Sequence, residues 1–334
     1  MTVNPESNQP GVSRETWRSS VGGMRFPDAA GEGARAEDTE VEEFGWNPLV
    51  AEARRAVKAR NPETHPLPRP DRRRIMTVAN QKGGVGKTTS TVNLAAALAV
   101  QGLKVLVVDL DPQGNASTAL GVNHNSGVPS VYELLLGRVG VAEVAATSTQ
   151  SERLACVPAT IDLAGAEVEL VTMVAREARL RQALNPEVLD ELDYDYVLID
   201  CPPSLGLLTV NALVAAHEVV IPIQCEYYAL EGLGQLLKNI ELVQAHLNPN
   251  LGISTVLLTM YDGRTKLAEQ VTEEVRGYFG DRALRTVIPR SVKISEAPGY
   301  GQTILSYDPG SRGSMSYLDA AREIAERGTE RETA

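Results

Sequence analysis

The residues with the clearest chemistry are Gly83, Gly84, Gly86, Lys87 and Thr88, packed into six positions. Ile75 to Ala79 is a short apolar run that reads as a buried strand, and Val92, Leu94, Ala95 and Leu98 give helical spacing from about Lys87 onward. Strand, glycine loop and helix in that order let loop N–H groups and the unpaired N–H groups of a first helical turn converge on an anion. The expected binding loop is Lys82, Gly83, Gly84, Val85, Gly86, Lys87, Thr88 and Thr89. Lys87 is expected to reach the β- and γ-phosphates of a nucleotide, and the Thr88 hydroxyl to ligate Mg²⁺.

Ligands of an open parallel sheet collect beyond the carboxyl ends of its strands, so acids that end strands are the next candidates. Val107-Val-Asp-Leu-Asp-Pro-Gln-Gly-Asn115 leaves a second strand with Asp109 and Asp111, either of which could be the essential acid; Asp111-Pro-Gln-Gly also fits an ordinary turn. Tyr196-Val-Leu-Ile-Asp200 ends a further strand in an acid placed to hold a metal or its bound water. Cys201 follows directly, but no histidine is near it in sequence and the adjacent acid raises its pKa, so it is not expected to be a nucleophile. His65, His124, His217 and His246 have neither metal-site nor triad spacing.

The elements that must position these groups alternate. Strands are expected at Lys104–Asp109, Arg153–Pro158, Tyr194–Asp200, Glu218–Gln224, Gly252–Met260 and Ala283–Ile288. Helices are expected at Asp162–Leu170, Thr172–Leu184, Leu205–Ala215, Ala229–Leu247, Leu267–Phe279 and Ser316–Arg327. Near-continuous apolar strands alternating with helices predict an α/β fold, a mostly parallel doubly wound sheet with helices on both faces. Aromatics make up only 4% of the chain, so aliphatic side chains must fill the core.

Composition narrows the classes. No apolar run is long enough to span a membrane, and the first residues lack signal-peptide layout. Cys156, Cys201 and Cys225 are widely spaced in or beside apolar runs, as reduced thiols of a cytoplasmic protein would be. A net charge of −11 means that any nucleic-acid contact needs a local basic patch. Residues 1–73 are rich in Gly, Ser, Pro and charge and read as a disordered arm, with 74–334 as the folded domain. Within the arm, Glu37, Asp38, Glu40, Glu42 and Glu43 precede Phe44-Gly-Trp46, and Asn47-Pro48 could open a short helix to about Arg60. A recognition element and a plain solvated tail both fit. Arg72-Arg73-Arg74 reads as a domain boundary.

One departure from the general phosphate loop is informative: Gln81 stands where the first glycine belongs, and Lys82 adds a second lysine. Lys82-Gly-Gly-Val-Gly-Lys-Thr-Thr resembles the deviant loop of the ParA/MinD class of P-loop ATPases, and Asp109-Leu-Asp-Pro-Gln-Gly-Asn115 resembles the first switch of ParA/Soj-type chromosome or plasmid partitioning proteins. The likeness runs from about Arg74 to Arg327, through Tyr261-Asp-Gly-Arg-Thr265, Ile288-Pro-Arg-Ser-Val-Lys293, Ser295-Glu-Ala-Pro298 and Tyr307-Asp-Pro-Gly310, and is weak between Gly121 and Asp193. It implies an Mg²⁺-dependent ATP hydrolase in which Lys82 reaches a partner subunit's phosphates and Asp111 orients water or supports the metal. Cys201-Pro-Pro would form a second switch, and Pro289 would border the adenine. It also implies an ATP-bound homodimer holding non-specific double-stranded DNA through Arg264 and Lys293, released by a ParB-type partner, in a cytoplasmic, nucleoid-associated protein. The charge pattern adds Arg290 within a basic strip from Arg264 to Lys293, although interleaved acids such as Asp262 and Glu269 also fit a plain solvated face. MinD-type membrane cycling, an iron–sulfur carrier of the same fold, an ATPase for another cargo and a scaffold acting through the Trp46 arm are the alternatives. The charged C-terminal residues lack an apolar face, against stable membrane association.

Overall fold

The computed structural model describes residues 66–227 and 233–329. The acidic cluster and the expected helix after Trp46 lie outside them. Eight strands form one sheet: β1 (Arg74–Val78), β2 (Val105–Asp109), β3 (Ala146–Thr147), β4 (Leu154–Val157), β5 (Tyr196–Asp200), β6 (Glu218–Gln224), β7 (Gly252–Tyr261) and β8 (Ala283–Pro289). The order is β3-β4-β2-β5-β1-β6-β7-β8, parallel throughout except for the antiparallel pairing of β3 with β4. The expected doubly wound sheet is therefore present.

Six longer helices cover it: α1 (Lys87–Val100), α2 (Leu163–Val171), α3 (Leu207–Ala215), α4 (Leu233–His246), α5 (Lys266–Phe279) and α6 (Arg312–Thr329). Strand alternation sends Ile75 and Ala79 into the core layer beneath α2 to α5, and Met76 and Val78 into the layer beneath α1 and α6. Both layers are aliphatic; Phe279 is the one phenylalanine among the described residues. α1 is buried almost all round, Lys87 included, because it sits between the sheet and α6.

One expected helix is not continuous. Between Thr172 and Leu184 the chain breaks at Ala175, which takes φ 52°, and resumes as a 3₁₀ turn (Arg176–Ala178) and a short helix (Arg179–Ala183). Asn211 on α3 holds the break: its Nδ2 donates to the Arg176 carbonyl at 2.8 Å, and its Oδ1 accepts from Leu180 N at 3.1 Å. A tertiary contact here overrides helical spacing. The basic run before β1 is built into the domain: Arg73 donates to the carbonyls of Tyr194 and Leu189, and the buried Arg74 forms a two-pronged pair with Glu218 at 2.7 and 2.6 Å. A third bond from Arg74 reaches the Ile324 carbonyl on α6.

Candidate nucleotide site

The loop from β1 to α1 is shaped by its glycines and by two neighbouring strands. Gly84 and Gly86 take φ 75° and 87°, a region costly for a side chain, which turns successive N–H groups inward. α1 begins at Gly86 with neither a capping side chain nor an acid in its first turn, so its leading N–H groups remain available to an anion. Asn80 fixes the loop's entry, donating to the Pro222 carbonyl on β6 at 2.8 Å while accepting from Lys82 N at 3.0 Å. Thr259 on β7 fixes its far side with a 2.8 Å bond to the Val85 carbonyl. The Val85 side chain is buried, so only its backbone faces the site. Sequence reasoning missed Asn80 and Thr259; their signal was a polar residue closing an apolar strand.

Lys87 is 7% exposed, and its Nζ donates to the Lys82 carbonyl at 3.2 Å. Burial draws its ammonium below the usual lysine range, against the opposing pull of Asp200, Cys201 and Asp111. Asp109 and Asp200 are register partners on β2 and β5, and both are fully buried. Asp109 accepts from Ser117 N, Ser117 Oγ and Asp111 N at 2.9, 2.7 and 3.1 Å. Asp200 has less support: Thr91 Oγ1 donates to Oδ1 at 3.1 Å, whereas Oδ2 is buried with no hydrogen-bond partner among the described residues. Burial, then the charge of Asp109, raises the Asp200 carboxyl well above the usual range, and the Thr88 and Thr91 hydroxyls oppose that shift. Asp109 is thus tied to the turn and short helix (Asn115–Ala119) that follow β2, while Asp200 keeps one oxygen without a partner among the described residues. Asp111 accepts from Gln113 N at 3.0 Å, and its own carbonyl accepts from Gly114 N at 2.9 Å, in a tight turn at the carboxyl end of β2.

A divalent cation suits this arrangement. Among the described residues no cluster of three or more His, Cys, Asp or Glu side chains forms a protein-only metal cage. Mg²⁺ in nucleotide enzymes keeps several waters and takes few protein ligands plus the phosphates. Thr88, Asp200 through its unpartnered oxygen, and Asp111 are the groups that would hold such an ion and its waters. Cys201 is buried at 3.1 Å from Thr77 Oγ1, and burial pushes its thiol up to about 12, so it is no nucleophile.

Residues 73–253 match the family described as an AAA domain. The sporulation initiation inhibitor protein Soj of Bacillus subtilis is 55% identical over 255 residues, 76% of this chain and 99% of that protein. The chain belongs to the Soj/ParA family of chromosome-partitioning ATPases. The chromosome partitioning protein ParA of Myxococcus xanthus is 52% identical over 77% of this chain and 89% of its own length. Among solved structures, cobyrinic acid a,c-diamide synthase from Mycobacterium smegmatis with bound ADP and magnesium is 40% identical, covering 75% of this chain and 92% of its own with a TM-score of 0.63. The septum site-determining protein MinD from Pyrococcus horikoshii, complexed with Mg-ADP, is 28% identical over 75% of this chain and 95% of its own, with a TM-score of 0.58. This partitioning ATPase takes ATP with Mg²⁺, and the open N–H groups of the loop and the Asp200 oxygen suit both.

The remaining expected site residues lie elsewhere on the same rim. Pro289 ends β8, opposite Tyr261 on β7 and three strands from β1. Arg264, Arg290 and Lys293 follow β7 and β8, each beside a carboxylate: Arg264 grips Asp262 with two nitrogens at 2.9 and 2.8 Å, Lys293 meets Asp308 at 2.6 Å, and Arg290 stands 4.0 Å from Glu226. All three remain exposed. The structure gathers Lys82 to Thr89, Asp111 and Asp200 around one loop and sets Pro289 and the three basic residues farther along the same rim, after β7 and β8.

Proposed function

We propose that ATP closes two copies of this chain into a sandwich dimer that holds double-stranded DNA without sequence preference, and that a ParB-type partner releases it by stimulating hydrolysis. The observation that carries the reading is Lys82. It adds a second lysine at the mouth of a loop already served by Lys87, and its side chain forms no ion pair among the described residues. A lysine surplus to its own site's needs suits the phosphates of a facing copy. Catalysis is water attack on the γ-phosphate, driven by positioning and charge neutralisation. Lys87 and Lys82 supply positive charge, Asp111 orients the water, and Thr88 with Asp200 steadies the metal and its water shell. Pro289 borders the adenine, and Arg264, Arg290 and Lys293 carry the DNA contact.

In this reading residues 1–73 are an arm, residues 74–334 form the ATPase domain, and the protein works in the cytoplasm on the nucleoid. Against membrane cycling, the apolar face of α6 is already spent: Tyr317, Ala321, Ile324 and Ala325 are buried in the core layer shared with α1. Co-sedimentation with DNA and with phospholipid vesicles, each with and without ATP, tests the reading. Pelleting with DNA only when ATP is present supports it, and ATP-dependent pelleting with vesicles instead would transfer the chain to the MinD mode.

A further inference from the structure

A cavity of about 690 Å³ opens at the amino ends of the strands, the end opposite the phosphate loop. Its wall includes Ile75 on β1, Asp195 before β5 and His217 before β6, so it lies about 15 Å from the nucleotide site, the length of a five-residue strand. Leu184, Leu189 and Ala215 contribute apolar surface. Most of its acids are already answered: Arg69 bridges Asp193 and Asp195 at 2.8 and 2.6 Å, and Arg73 holds Asp190 at 2.9 Å. Arg72 and Arg181 are exposed on the wall, with Asp71 the one remaining acid of the lining; Arg181 also donates to the Leu247 carbonyl at 3.2 Å. The size falls in the range of pockets that bury an aromatic-sized group.

We propose that this cavity docks the chain's own segment from Glu37 to Trp46, the acidic stretch binding Arg72 and Arg181 while Phe44 and Trp46 enter the apolar part. Three observations select this occupant. The described chain starts at Pro66, beside the C-terminal end of α1 where Leu67 N donates to the Gln101 carbonyl, and Arg69, three residues later, is part of the cavity wall, so the tether to the preceding segment begins a few residues from the cavity. Glu37, Asp38, Glu40, Glu42 and Glu43 carry five negative charges toward the two exposed arginines. Both tryptophans and two of the three phenylalanines of the chain precede Pro66. Twenty residues from Trp46 to Pro66 span at most roughly 70 Å, ample for a site beside residue 69. A tether of this length gives an effective concentration on the order of millimolar, so a contact with an intermolecular dissociation constant of about 1 mM is half closed.

The test is fluorescence of the full chain carrying Trp17→Phe, in which Trp46 is the only tryptophan. Docking predicts blue-shifted emission and several-fold weaker acrylamide quenching than in the urea-unfolded chain. Arg72→Glu with Arg181→Glu should restore quenching toward the unfolded value, and adding Glu40→Lys, Glu42→Lys and Glu43→Lys should protect Trp46 again. ATP turnover of the same proteins should stay within about twofold of the parent, which shows that they are folded and separates this outcome from any failure of the ATPase reading. Quenching as strong as in urea overturns the proposal. So does protection that ignores the arginine substitutions, or that is lost on dilution and thus comes from a second copy.

Discussion

The surroundings of Asp200 and Asp111 differ, and the roles proposed for them can be tested through that difference. Asp200's raised carboxyl means that the folded chain holds a proton there more tightly than the unfolded chain does. Without ligand, its contribution to stability is therefore complete at the low end of the carboxylate range and is lost as pH rises through the raised value, by about 1.4 kcal/mol per unit of displacement. Buried Asp109 shifts in the same direction, so Asp200→Asn should lessen the slope without abolishing it. Nucleotide-free Asp200→Asn is expected to melt higher than the parent at pH 8, with the gap narrowing toward pH 5 in thermal scans, while hydrolysing ATP far more slowly. A variant that melts lower at pH 8 would show that the buried charge is compensated inside the fold. Asp111's carboxylate accepts from one backbone N–H of its own turn, that of Gln113. Asp111→Ala should still bind ATP and elute as a dimer with it, yet turn over roughly 10²-fold or more slowly, the range expected when water loses an orienting acid. Normal turnover in that variant, with loss in Asp109→Ala, would reverse the two roles.

The phosphate loop is steadied by strands that do not belong to it. Thr259 ends the well-buried part of β7 and holds the Val85 carbonyl, and its methyl group would lie 3.8 Å from a Cβ placed on Gly86. Thr259→Val keeps the shape and removes the donor, leaving a buried carbonyl unpaired at a cost of about 1–3 kcal/mol. ATP affinity is expected to fall roughly tenfold by titration calorimetry, although Thr259 stands behind the loop; unchanged affinity would mean that the glycines hold the loop alone. This coupling was not legible in the sequence, because it joins residues 174 positions apart. What was legible was local: glycines between an apolar run and a helical pattern, and acids closing strands. The six parallel strands after β1 followed from apolar runs alone, since a sheet covered on both faces needs no alternation. Short elements such as Asn115–Ala119 and Val131–Leu136 carry too few turns for periodicity to register. The break at Ala175 needed Asn211, a contact no local pattern contains.

At the scale of the molecule, the DNA binding proposed for so acidic a chain would need one concentrated basic face. The carboxyl-end rim of β7 and β8 presents Arg264, Arg290 and Lys293, and it is the rim that also carries the phosphate loop. Their pairs with Asp262, Glu226 and Asp308 are exposed, and such pairs are weak enough in water for a DNA phosphate to displace the carboxylate. In the proposed dimer two copies would double the set of cations that one copy offers, which would make DNA binding depend on ATP without any base contact. Affinity should then fall with a log–log salt slope of roughly −0.9 per phosphate neutralised and should be indifferent to sequence. Arg264→Glu with Lys293→Glu is expected to remove ATP-dependent DNA binding in a salt titration while leaving basal hydrolysis and ATP-dependent dimerisation intact. Neither side chain touches the loop, so a loss of hydrolysis would mean that the rim is coupled to the site. A double variant that keeps the parent's salt midpoint would place the contact elsewhere. Arg72 is then the next cation to test, because Arg73 and Arg74 are already committed to carbonyls and carboxylates of the domain.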